Sequence, residues 1–154
     1  MDKLGLKGKV KIKICKAKTG EVIEEEFDNL IVNAGKAEVA KLIGSGLGGT
    51  AFGYIAIGTG TTSEAATDTA LEAEVKRKAA TVTSVTTNVT DDTAQFEASF
   101  SSTDGLSGSS AITEYGLFNA DTGGTMLSRT VQAAKNLDWD AGDTLSVTWQ
   151  IIVQ

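Results

Sequence analysis

Asp138, Asp140 and Asp143 stand at i, i+2 and i+5 around Gly142, a spacing that can offer carboxylate oxygens to a calcium ion. The closing glutamate of a full calcium loop is missing, because Thr148–Gln150 continue a strand pattern. A polar turn before the last strand is the simpler reading, and calcium stays open as the alternative. Gly58-Thr59-Gly60-Thr61-Thr62 has the outline of a phosphate loop but lacks its lysine and following helix. A turn leaving a strand accounts for it better. Gly44, Gly46 and Gly49 satisfy G-x-G-x-x-G, yet a helix pattern precedes them and a strand pattern follows. A dinucleotide would find no helix N-terminus there, so the segment reads as a linker.

The chain has no His and one Cys, which removes the commonest general base, the commonest metal ligand and any intramolecular disulfide. No G-x-S-x-G nucleophile motif is present. Neither an enzyme nor a cofactor is expected. Cys15 reads as a small strand residue beside lysines. Trp139, Trp149, Tyr54 and Tyr115 could form a sugar-binding platform. Trp149 falls on the apolar face of the last strand and belongs to a core. Trp139, in an acidic turn, is a candidate contact with a partner chain. Lys9, Lys11 and Lys13 are candidates for the same role, although they also fit a simpler one as cross-strand charge partners.

Three stretches must position these residues. Residues 1–32 read as an N-terminal β-hairpin arm. Val10, Ile12 and Ile14 alternate with lysines, Thr19-Gly20 supplies a turn, and Glu21–Ile31 returns. A two-residue turn sets Lys13 opposite Glu26, Lys11 opposite Asp28 and Ile12 opposite Phe27, with one apolar face and one charged face. Residues 33–50 read as a short helix, capped by Asn33 and stopped by Gly44, followed by a Gly-rich linker. Its apolar side is marked by Ala37, Ala40, Leu42 and Ile43. Residues 51–154 read as a β domain. They include a long, bent, Thr-rich strand over Val75–Val89, a hairpin turn at Ala120–Gly123, and a clean alternation of Leu145, Val147, Trp149, Ile151 and Val153. The fold class is mainly β: an antiparallel β-sandwich or barrel with one short helix and the hairpin arm. With no Pro, edge strands need protection by charge, glycine bulges or pairing with another subunit.

The chain has 154 residues, enough to bury a core, with 14 basic and 20 acidic residues and a net charge of −6. That balance argues against nucleic acid as a partner, and no apolar run is long enough for a membrane helix. The start, Met1-Asp2-Lys3-Leu4, lacks the apolar core of a secretion signal.

Several segments in order carry a resemblance: Asn29–Lys36; Tyr54-Ile-Ala-Ile-Gly-Thr-Gly-Thr-Thr62; Asp68–Glu74; Ile112-Thr-Glu-Tyr-Gly-Leu-Phe-Asn-Ala120; Gly123–Arg129; and Ala141–Trp149. Over about residues 29–153 the chain resembles small structural proteins of tailed-bacteriophage virions. It is also similar to the N-terminal part of phage tail-collar fibre proteins. The resemblance implies a non-enzymatic virion protein, made in the host cytoplasm, with other virion proteins as partners (the major capsid protein or a tail protein) and a homo-oligomeric state. It implies no catalytic residues. A capsid decoration subunit is the first expectation, because no shaft or tip follows the fold, and a tail or fibre-attachment part is the second. A strand-exchanging filament subunit and a glycan-binding sandwich are remoter alternatives. Glu114 and Arg129, on strands joined by a hairpin, are expected to pair within or between subunits.

Overall fold

The computed structural model describes residues 3–154; Met1 and Asp2, and the expectations that touch them, lie outside the described residues. Ten strands, β1 (Leu6–Cys15), β2 (Val22–Asp28), β3 (Leu30–Ile31), β4 (Tyr54–Gly58), β5 (Glu74–Ala79), β6 (Thr81–Val85), β7 (Thr93–Phe100), β8 (Ser109–Phe118), β9 (Met126–Asp138) and β10 (Thr144–Val153), accompany one α-helix, α1 (Asn33–Ile43). They form two antiparallel five-stranded sheets, ordered β2-β1-β10-β7-β6 and β3-β9-β8-β4-β5. The molecule is a sandwich, not a closed barrel.

Alternation builds the first sheet. Val10, Ile12 and Ile14 of β1, Phe96 and Phe100 of β7, and Leu145, Val147 and Trp149 of β10 all bury on one face. Each such side chain contributes about 1.5–3 kcal/mol on leaving water. They meet Ile55, Ile57, Tyr115, Leu117 and Leu127 of the second sheet. The second sheet is also covered on its far side, where Val32, Ala56, Leu71, Phe118 and Met126 form a smaller cluster. That is why Ile112–Phe118 is buried without a break, where a sheet solvated on one side would alternate.

Two bent strands join the sheets. The segment Val22–Ile31 pairs with β1 through β2, turns at Asn29, and pairs with β9 through β3. On the other side the expected long Thr-rich strand bends at Ala80. Its first half, β5, pairs with β4, and its second half, β6, pairs with β7. Ala80 donates its N–H to the Gly53 carbonyl at 2.8 Å at the corner. Such corners are how one strand serves two sheets.

The hairpin over residues 1–32 is not a separate arm. β1 lies inside the first sheet, paired along ten residues with β10 from Leu6↔Val153 to Cys15↔Thr144. Its apolar face needs cover, and the sandwich itself supplies it. The β1–β2 register also differs from expectation by two residues: Lys11 faces Glu26, Lys13 faces Glu24 and Ile12 faces Glu25. The loop spans residues 17–20, closed by the Lys16 N–H on the Glu21 carbonyl at 2.8 Å, rather than the two residues of the tightest turns. An even shift keeps every side chain on its predicted face. Glu25, now between Ile23 and Phe27, reaches Lys135 at 2.8 Å.

The helix occupies Asn33–Ile43 as expected, but Val32 is its N-cap residue and no side chain caps it. It also turns a different face inward. Gly35 and Glu38 are buried, whereas Ala37, Ala40, Leu42 and Ile43 are exposed. The cause is Gly35: a Cβ there would lie 2.5 Å from the Leu127 carbonyl oxygen and 2.7 Å from its Cα. Lacking one, the helix rests directly on the β9 backbone. Glu38 then accepts the Thr50 N–H at 2.7 Å and pins the Gly-rich linker.

Candidate functional site

The densest set of charged groups centres on Glu114, in the middle of β8. The β8 alternation sends Tyr115 and Leu117 into the sandwich core and Glu114, Gly116 and Phe118 to the far side of the sheet. There Glu114 is fully buried. Its Oε1 accepts N–H bonds from Gly60 at 3.0 Å and Ala73 at 2.7 Å. Its Oε2 accepts from the Glu72 N–H at 3.0 Å and from Arg129 Nε and Nη2 at 3.2 and 2.9 Å. Arg129, on β9, also donates to Asp68 at 2.8 Å and to the Thr62 carbonyl at 3.0 Å. The expected Glu114–Arg129 pair therefore forms within one chain, and Asp68 is a third member that sequence spacing did not single out.

Gly58–Thr62 is the turn leaving β4, as expected, and its Gly60 N–H joins those of Glu72 and Ala73 around an anion. The anion is the chain's own carboxylate. A Cβ on Gly58 or Gly60 would fall 2.5 or 2.6 Å from Glu114 Oε1, so glycine is what lets the loop close over it. Thr113 donates its hydroxyl to the Gly60 carbonyl at 2.6 Å and fixes the loop from below. With five donors on a carboxylate sealed from solvent, no acceptor position is free for a substrate proton or an incoming metal. The arrangement is a buried clamp.

The acidic turn resolves in the same way. Asp143 is buried and accepts from the Asp138 N–H at 2.8 Å, the Lys16 ammonium at 2.6 Å and the Ala17 N–H at 2.9 Å. Burial by itself would raise its carboxyl; these donors outweigh it and hold it at about 2. Asp138 accepts from the Ala141 N–H at 3.0 Å and pairs with Lys18 at 3.2 Å. The turn thus latches β9–β10 to the β1–β2 loop, and its cations are lysines. No cluster of three metal-ligating side chains occurs among the described residues.

Trp139 is not a surface contact. It is fully buried, with Nε1–H donated to Ser110 Oγ at 2.9 Å. Its indole fills the core beneath the β8–β9 end, and only the neighbouring aspartates face water, so an acidic turn concealed a core residue. Tyr115 and Trp149 are fully buried as well. The aromatic sugar platform therefore does not assemble. Cys15 is a partly buried free thiol at the end of β1.

Lys9, Lys11 and Lys13 form one outward stripe on β1. Lys9 meets Glu26 at 2.7 Å and Lys11 meets it at 3.7 Å. The hydrogen bond from Lys9, helped by its charge, holds the Glu26 carboxyl below its ordinary value against the opposing effect of desolvation. Lys11, Lys13, Glu24, Glu26, Ser146 and Thr148 line an open groove of about 450 Å³ on this face. A second groove, of about 510 Å³ and mostly apolar, lies between α1 and the paired chain ends, with Leu4, Val39, Ile43 and Val153 in its walls. Leu4 and Ile43 are about three-quarters exposed (76% and 74%). Ile43, one of the residues marking the apolar side of the helix, therefore lies on this surface.

Compared with protein-family models, curated proteins and solved structures, the chain matches none.

Proposed function

We propose that this protein is a non-enzymatic structural subunit of a tailed-phage virion, carried on the capsid as a decoration protein and acting through repeated protein–protein contacts. The observation that carries the reading is where the motif segments meet. Tyr54–Thr62, Asp68–Glu74, Ile112–Ala120 and Gly123–Arg129 are far apart in sequence, and all four converge on the Glu114–Arg129 clamp. A fifth, Asn29–Lys36, packs on the fourth through Gly35 and Leu127. Five of the six segments that make the resemblance thus hold the outer face of the second sheet together. They build a scaffold, not a cleft, which is what a virion structural protein of this kind requires.

The same reading gives the exposed Lys9–Lys11–Lys13 stripe a role in contact with a neighbouring virion protein, a major capsid or tail protein. Trp139, being buried, has no part in it. Many weak copies of such a contact give firm attachment without one tight site.

Immunogold electron microscopy of the source lysate, with antibody raised to this chain, tests the proposal. Gold over phage heads is the expected result. Gold confined to tails would overturn the capsid assignment. Gold on cellular filaments, or on no particle, would overturn the virion reading altogether.

A further inference from the structure

Four strands lie at sheet edges, and three are guarded against pairing with another copy. β2 carries Glu24, Glu25, Glu26 and Asp28. β5 carries Glu74, Lys76, Arg77 and Lys78. β3 is only two residues long. These are the usual devices that keep an edge from adding a strand. β6 has none of them. Thr81-Val82-Thr83-Ser84-Val85 is uncharged, and the uncharged run extends from Ala79 to Thr90 without Pro or Gly. Its first four residues are exposed, Val82 half so at 50%. Among the described residues its backbone bonds to β7 alone.

We propose that β6 pairs antiparallel with β6 of a second copy of this chain about a two-fold axis, making one continuous sheet from two sandwiches. The charge pattern selects this occupant. Self-pairing at β2 would set glutamates against glutamates, and at β5 would gather lysines and arginines. Among the edge strands longer than two residues, only β6 meets itself without like charges. Centred on Thr83, the pairing sets Thr83 opposite the partner's Thr83, Thr81 opposite the partner's Val85 and Val82 opposite the partner's Ser84. These are β-branched and hydroxyl pairs of the kind that stabilise adjacent strands. Pairing β6 with β2 of a neighbour would instead be head-to-tail, giving a ring or an open chain of copies, and would set threonines against a row of glutamates. An isologous β6 contact closes at two copies.

One strand pair is a small interface, so the dimer forms with concentration rather than at every dilution. Sedimentation equilibrium of the full chain, from micromolar to millimolar, should show a monomer–dimer equilibrium with no larger species. Hydrogen exchange at high concentration should slow the outward-facing amides of Thr81–Val85 relative to the dilute protein. Thr83→Lys places two ammonium groups side by side across the axis. It should weaken association about tenfold or more while leaving the thermal midpoint of the dilute protein unchanged. Ile43→Lys, on the separate apolar groove, should leave association unchanged. A chain that stays monomeric throughout, a dimer that Thr83→Lys leaves intact, a dimer that Ile43→Lys dissolves, or exchange in β6 that ignores concentration would each overturn the proposal.

Discussion

Glu114, fully buried, accepts hydrogen bonds from three backbone N–H groups and from Nε and Nη2 along one edge of the Arg129 guanidinium. Arg129→Met leaves that carboxylate buried without its countercharge. We expect it to cost about 3–5 kcal/mol, the usual penalty for removing one partner of a buried pair, read from urea unfolding with the m-value unchanged. The Asp143 latch gives a pH signature. Its carboxyl is held at about 2 in the fold, below the ordinary value of about 4. A group depressed in the folded state stabilises above its unfolded value, and that contribution fades as pH falls toward the folded value. Unfolding free energy should therefore drop between those two pH values, and Asp143→Asn should flatten the drop. Both tryptophans are buried, so their fluorescence should be blue-shifted and resist acrylamide quenching; strong quenching of native protein would contradict the placement of Trp139.

At the scale of elements, strands were legible in the sequence wherever side chains alternated. β1, β7 and β10 follow the period-two pattern closely. The helix was legible in its span but not in its face. Periodicity weighs apolar content, and Ala37, Leu42 and Ile43 outweighed a glycine; packing weighs distance of approach, and Gly35 decided it. The hairpin register was misjudged for a similar reason. Thr19-Gly20 suits a two-residue turn, whereas the loop that forms must also present the Ala17 N–H and Lys16 to Asp143, a partner more than 120 residues away. Of the site, the Glu114–Arg129 pair was visible from strand pairing, while Asp68 and the loop amides were not, because nothing local marks a loop that folds back over a sheet. Gly35→Ala tests the packing argument. The added methyl meets backbone that cannot move aside, and overpacking of this kind costs about 1–3 kcal/mol. Calorimetry should show the lower midpoint, and exchange should show loss of protection in α1 before the sheets open.

For the molecule as a whole, residues 6–28 are part of the sandwich rather than an appendage. Removing them takes Val10, Ile12 and Ile14 out of the core and leaves β10 without a neighbour on one side. We expect the remaining chain to lose its cooperative thermal transition and its dispersed amide spectrum; a truncated chain that kept both would show that the rest folds alone. The corners at Asn29 and Ala80 have a mechanical consequence. Two layers held only by greasy contact shear past each other under load. Here any sliding pulls at once on peptide bonds on both flanks of the molecule. Force applied across the layers is carried along the backbone, and yielding requires a corner strand to unzip from its ladder, one hydrogen bond after another. The result is a fabric whose two plies are stitched together along both sides.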